Sequence, residues 1–106
     1  MNSSDRPINL RTMQASAEKA CNLLKIMANP DRLMVMCRLS QGELSVGELE
    51  EQLCIRQPTL SQQLAVLRES GLVSTRRESK NIFYSVASSQ ALAVMEVLYE
   101  QFCADT

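Results

Sequence analysis

Histidine is absent from the 106 residues, and glycine and proline supply only three positions each. Without histidine the usual zinc-binding spacings are missing, and none of the four cysteines, Cys21, Cys37, Cys54 and Cys103, stands in a Cys-x-x-Cys pair. The chain also lacks a glycine-rich phosphate loop and any nucleophile–base pair at readable spacing, which argues against an enzyme. No apolar run approaches the roughly 20 residues that span a bilayer. The opening stretch carries Asp5, Arg6, Pro7 and Arg11 without an apolar run, unlike a signal peptide. The expected compartment is therefore the cytoplasm, where cysteines are normally reduced. Scarce glycine and proline beside 45% hydrophobic residues point to one globular, mostly helical domain with a modest core.

The formal net charge of −1 does not by itself suggest a nucleic-acid partner, but the charges are unevenly placed. Glu43, Glu48, Glu50 and Glu51 make the stretch up to Cys54 acidic. From there to Lys80, Arg56, Arg68, Arg76, Arg77 and Lys80 stand against Glu69 and Glu78, a local excess of positive charge.

Periodicity divides the chain into elements. Met13, Ala17, Ala20, Cys21, Leu24, Met27 and Ala28 recur at spacings of three and four, so this segment reads as an amphipathic helix. Leu23 and Ile26 widen its apolar face enough to suggest packing on more than one surface, including a partner chain. Residues 1–13 read as a flexible arm and 14–106 as the folded domain. Asn29-Pro30-Asp31 restarts the chain as a second helix, with Asn29 as cap and Leu33, Met36 and Cys37 on one face. Ser45 and Glu48 form a capping-box pattern that opens a short third helix. Gln57 and Pro58 open a fourth, with Pro58 at its first position, Leu60, Leu64 and Leu67 on its buried stripe, and Gly71 at its end. After Gly71 the period changes to two: Leu72 to Arg77 and Ile82 to Val86 read as a β-hairpin around Glu78-Ser79-Lys80-Asn81. Ser88 or Ser89 caps a last helix through Leu92, Met95, Leu98, Tyr99, Phe102 and Cys103.

Two short helices joined by a tight turn and followed by a hairpin fit a winged helix-turn-helix, mainly α with a β-hairpin. The fourth helix turns Thr59, Ser61, Gln62 and Ala65 outward, with Gln63 flanking them and Gln57 at its start. These short polar side chains suit base edges or phosphates, and Ala65 allows close approach. Its N-terminus favours phosphate. Arg76, Arg77 and Lys80 on the hairpin suit the DNA backbone or the minor groove. Taken alone, the Ser/Gln run reads first as a solvated helix face, and Arg76 and Arg77 as ordinary surface charges. The order of elements is what gives them a DNA-binding meaning.

Four segments resemble the ArsR/SmtB family of bacterial repressors: Ala28-Asn29-Pro30-Asp31-Arg32-Leu33, Glu43-Leu44-Ser45-Val46-Gly47-Glu48-Leu49, Thr59-Leu60-Ser61-Gln62-Gln63-Leu64 and Leu67-Arg68-Glu69-Ser70-Gly71-Leu72-Val73. The resemblance covers about residues 14 to 103. It implies a homodimer through the first and last helices, binding to palindromic operator DNA, and repression relieved by an inducer. The family's metal sites are not matched. The third helix opens Ser45-Val46-Gly47-Glu48 where thiol-type metal sensors have Cys-x-Cys, and the last helix lacks the Asp and His of zinc-type members.

The pairing of Cys37 with Cys103 is similar to that of the biofilm growth-associated repressor branch, which responds to reactive sulfur species. Carried over residue by residue, it implies that Cys37 and Cys103 are redox-sensing thiols, able to close a di- or polysulfide bridge, in a repressor of sulfide-detoxification genes. No cofactor is implied. On composition alone, each of the four cysteines reads as an inert core residue, because unpaired cysteine is among the most buried residue types. With the resemblance, Cys21 and Cys54 remain core or incidental residues. Two alternatives stay open: a repressor sensing a thiophilic metal or metalloid, and a winged-helix interaction module that does not bind DNA.

Overall fold

Side-chain caps decide where most of the helices begin in the computed structural model, which describes residues 7–103. Helix α1 (Leu10–Met27) starts where Asn9 Oδ1 accepts the backbone N–H groups of Arg11 and Thr12 at 3.0 and 3.2 Å. It thus begins three residues before the Met13 indicated by periodicity, because a cap acts at a terminus whatever the apolar pattern beyond it. The expected arm is helical from Leu10, and its first six residues lie outside the described ones. Helix α2 (Pro30–Leu39) opens on Asn29, whose Oδ1 accepts from Arg32 N at 3.0 Å, with Pro30 in the first turn as the sequence indicates. Helix α3 (Val46–Leu53) carries the complete capping box: Ser45 Oγ accepts Glu48 N–H at 3.2 Å, and Glu48 Oε1 accepts Ser45 N–H at 2.9 Å. Ser88 Oγ caps helix α5 (Ser89–Phe102) through Ala91 N–H at 3.0 Å.

Helix α4 (Thr59–Glu69) begins differently from the sequence expectation. Pro58 occupies the capping position rather than the first helical one, at φ −88° and ψ 2°, and its ring offers no acceptor. Gln57, one residue further back, takes over that role: its Oε1 accepts Ser61 N–H at 3.1 Å and also the Ser61 hydroxyl. One of the unpaired N–H groups of the first turn is satisfied in this way.

The hairpin is one part of a three-stranded antiparallel sheet in the order β1-β3-β2. Strands β2 (Val73–Glu78) and β3 (Asn81–Val86) pair from Val73 with Val86 to Glu78 with Asn81, closed by the two-residue turn Ser79-Lys80. Ser79 adopts φ 61°, the positive value that such a tight turn demands. The added strand β1 (Leu44–Ser45) pairs Leu44 with Tyr84 and Ser45 with Phe83. Two residues are too few to show a period of two, so this strand has no signature in the sequence.

The core gathers around α2. Its Val35, Met36 and Leu39 are buried together with Leu49 of α3, Leu60, Leu64 and Leu67 of α4, Leu72 and Val73, and Ala91 and Met95 of α5. By contrast, α1 buries only Met27. Leu10 and Leu24 on α1, and Val97, Tyr99 and Phe102 on α5, are each more than half exposed.

Between α3 and α4 the chain passes through Cys54 in the left-handed region, at φ 57° and ψ 29°, with its N–H donating to Glu50 O at 3.1 Å. A side chain there is strained where glycine is not. Cys54→Gly is expected to stabilise the fold by about 0.5–1 kcal/mol. Thermal melting at fixed protein concentration should show a rise of about 2–6 °C. A lower melting temperature would show that the Cys54 side chain contributes packing that outweighs the strain.

Candidate nucleic-acid interface and thiol pair

The buried stripe of α4 determines which of its side chains face outward. Leu60 and Leu67 are fully buried and Leu64 nearly so. Ser61, Gln62 and Ala65 are therefore exposed on the opposite side, while Thr59 and Gln63 are half-buried at its margins. The three glutamines differ in their surroundings. Gln57 is engaged with Ser61 at the start of the helix. Gln63 accepts a hydrogen bond from Arg32 NH1 at 2.8 Å through its Oε1, across 31 residues of sequence. Gln62 is exposed on the outward side.

The basic residues of the hairpin are also not equivalent. Arg77 and Lys80 are exposed. Arg76 is held in place by its own chain. Its Nε lies 3.0 Å from each carboxylate oxygen of Glu43, its NH2 also meets Glu43, and its NH1 meets Glu78 at 3.0 Å. The guanidinium lies over the Phe83 ring, 4.7 Å from the centroid. Arg76 thus ties β2 to the loop before β1. Its proton is held more tightly than in a lone arginine, first by the hydrogen bonds to Glu43 and then by those to Glu78. In return, Arg76 keeps the Glu43 carboxyl below its ordinary value of 4.5. Arg32 and Glu43 are the residues that sequence reading passed over. Their partners lie 31 and 33 residues away, and no local pattern announces such contacts.

The cysteines do not occupy the core. Cys37 is half-buried, and Cys21, Cys54 and Cys103 are exposed. The core reading of Cys21 and Cys54 is therefore corrected: Cys21 lies on a helix that buries a single residue, and Cys54 forms a turn. Cys37 lines a groove of about 770 Å³ between α2 and α5, together with Ser40, Leu92, Met95, Tyr99 and Glu100. Cys103 caps the C-terminus of α5, where its N–H donates to Tyr99 O at 2.8 Å. It therefore stands one helical turn beyond a residue of the groove wall. Among the described residues, no group of three or more His, Cys, Asp or Glu is placed to hold a metal ion, and no helix is long and apolar enough to cross a membrane.

A short helix bracing a second one, whose polar side faces outward beside a β-hairpin, is the arrangement of a winged helix-turn-helix, a class that reads DNA. Comparison with known proteins gives the same class and narrows it. Residues 29–75 match the family of bacterial regulatory proteins named arsR. The chain is 58% identical over 97 residues to the biofilm growth-associated repressor of Agrobacterium fabrum, covering 92% of this chain and 83% of that protein. The fold matches the crystal structure of the transcriptional repressor BigR from Xylella fastidiosa with a TM-score of 0.87 and 52% identity, over 92% of this chain and 99% of that one. It matches reduced HlyU from Vibrio cholerae with a TM-score of 0.82 and 45% identity, over 88% and 98% of the two chains. The chain belongs to the ArsR family and is a DNA-binding transcriptional regulator, not an enzyme. The resemblance read from its motifs, including that to the biofilm growth-associated repressors, is the one these comparisons return.

The Glu43–Arg76 pair has a defined pH dependence. Glu43 titrates lower in the folded chain than in the unfolded one, so its contribution is present above about pH 4.5 and is lost as pH falls through the lowered value. Carboxyl titration followed by NMR should place Glu43 below an ordinary glutamate, and Arg76→Ala should return it toward the ordinary value. An unchanged midpoint in Arg76→Ala would show that the pair does not persist in solution.

Proposed function

We propose that this chain is a homodimeric repressor of palindromic operator DNA, released by reactive sulfur species through Cys37 and Cys103, and controlling sulfide-detoxification genes. The observation that carries the sensing part is the groove: Cys37 lines it, and the helix forming its other wall ends at Cys103. Further support comes from relatives that are named repressors and from the relative whose structure represents a reduced form.

Exposure supports the dimer. An 18-residue helix that buries one residue gains too little from its own chain, since most helical stability in proteins comes from packing an apolar face. The exposed apolar side chains of α1 and α5 supply that face to a second copy. A two-fold dimer presents two copies of α4, and the DNA site then repeats its half-sites with the same symmetry, about 34 Å apart for successive turns. In this reading Ser61, Gln62 and Thr59 meet the major groove with Ala65 against them, while Arg77 and Lys80 reach the backbone or the minor groove. Gln57, which accepts the Ser61 hydroxyl and so orients it, and Gln63 and Arg76, each engaged within the chain, support those contacts from behind.

The sulfur chemistry balances. The Cys37 thiolate attacks the outer sulfur of a persulfide RSSH, breaks its S–S bond and expels RS⁻, leaving Cys37 as a persulfide. The Cys103 thiolate then attacks the inner sulfur, expels HS⁻ and closes a disulfide. If Cys103 is itself persulfidated, the same displacement leaves a three-sulfur bridge. A direct disulfide needs Cα atoms about 4.4–6.8 Å apart, and an inserted sulfur relaxes that limit. A bridge pins the C-terminal end of α5 to α2 and so alters the dimer surface and the half-site spacing.

Treatment with inorganic polysulfide tests this directly, with intact mass and DNA binding read on the same sample. A mass change corresponding to the loss of two hydrogens, with or without added sulfur, mapped to Cys37 and Cys103 and coincident with release from DNA, is expected. Cys37→Ser and Cys103→Ser should bind DNA and stay bound. Release of either variant by polysulfide contradicts the mechanism. Release of the wild type by arsenite or cadmium but not by polysulfide favours a thiophilic-metal sensor instead.

A further inference from the structure

Arg32 joins three elements at one point. It lies in the first turn of α2, where its own N–H is held by the Asn29 cap. Its Nε donates to Ile26 O at 2.6 Å, and its NH1 donates to Gln63 Oε1 at 2.8 Å. Ile26 O is among the last four carbonyls of α1, which have no intrahelical partner, and a cation there also complements the negative end of the helix dipole. Because an arginine only donates, Gln63 must turn its oxygen toward Arg32, which fixes the face of the amide. The two bonds leave one rigid planar group from different nitrogens, so the direction of one constrains the other. Both Arg32 and Gln63 are half-buried, where such charge-assisted bonds are less weakened by water.

We propose that Arg32 is a positioning residue for DNA recognition. It fixes the tilt of α4 relative to the end of α1, and Gln63 is the recognition-helix end of that clamp rather than a reader of base identity. The consequence is geometric. Hydrogen bonds weaken outside about 2.7–3.2 Å, so a displacement of α4 by about 1 Å weakens all of its base contacts together. Loss of the clamp therefore lowers affinity without changing which bases are preferred, whereas loss of a reading residue changes the preference at one position.

The test uses a randomised duplex library, sequenced after binding to wild type, Arg32→Ala, Arg32→Lys, Gln63→Met and the double variant Arg32→Ala/Gln63→Met. Affinities are then measured on the duplex that wild type selects, at a temperature where melting curves show each variant folded. Arg32→Ala and Gln63→Met should each weaken binding by about three- to tenfold, and the double variant should be no weaker than the weaker single one, as for two ends of one interaction. Base preferences should match wild type throughout. Arg32→Lys should recover only part of the loss, because a point charge cannot hold two acceptors in a fixed fork. The proposal is overturned by a changed base preference in Gln63→Met alone, by losses that multiply in the double variant, or by unchanged affinity in both single variants. If Arg32→Ala does not fold, Arg32→Lys and Gln63→Met carry the same comparison.

Discussion

Burial of Leu60, Leu64 and Leu67 against the core around α2 is the interaction on which the rest of this structure depends. Each fully buried leucine contributes about 1.5–3 kcal/mol relative to exposure, and together they hold α4 to the domain by one stripe. A helix held along one stripe has its opposite side fixed as well. Ser61, Gln62 and Ala65 face outward because the leucines face inward, so the polar side that a DNA groove would meet follows from core packing. The caps refine this arrangement. Gln57 satisfies one N–H of the first turn of α4, and Cys54 turns the chain so that α3 and α4 can pack on the same core.

Electrostatics acts at shorter range than the net charge suggests. A chain with net charge −1 has no overall attraction for phosphate. Exposed Arg77 and Lys80 provide positive charge on the hairpin, while Arg76 is neutralised by Glu43 and Glu78 and braces the sheet. Two adjacent arginines thus have different surroundings, decided by which face of β2 each occupies. The same division runs through the glutamines, where an exposed Gln62 neighbours a Gln63 held by Arg32.

What the sequence made legible was local. The Asn29 and Ser45–Glu48 caps and the leucine stripe of α4 each depend on residues within a few positions of one another, and each stands where the pattern placed it. Of the two serines open as the cap of α5 it is Ser88, and the hairpin connection is tighter than the four residues expected, because Glu78 and Asn81 pair as strand. The start of α1 was misplaced because Asn9 caps a turn that precedes the readable apolar period. Strand β1 was missed because two residues carry no period. The roles of Gln57, Gln63 and Arg76 depended on the direction of a cap or on partners far along the chain. Burial of Cys21 and Cys54 was misjudged because apolar neighbours in sequence do not fix burial: Cys21 lies on a helix that buries a single residue, and Cys54, between half-buried Leu53 and Ile55, stands at the turn itself.

The proposed function divides into two tasks. In it, the outward side of α4 concerns which DNA is bound, and the groove lined by Cys37, with Cys103 one turn beyond its Tyr99, concerns when. The first task is the foundation of the second, since an inducer can only release what has been recognised. The most direct measurement is the ratio of affinity for the palindrome selected by the wild type to that for a scrambled duplex, taken for wild type, Ser61→Ala/Gln62→Ala and Arg77→Ala. The account predicts that the Ser61/Gln62 variant loses most of this ratio while keeping salt-sensitive binding to both duplexes, and that Arg77→Ala weakens both duplexes alike. An unchanged ratio in the Ser61/Gln62 variant would contradict it.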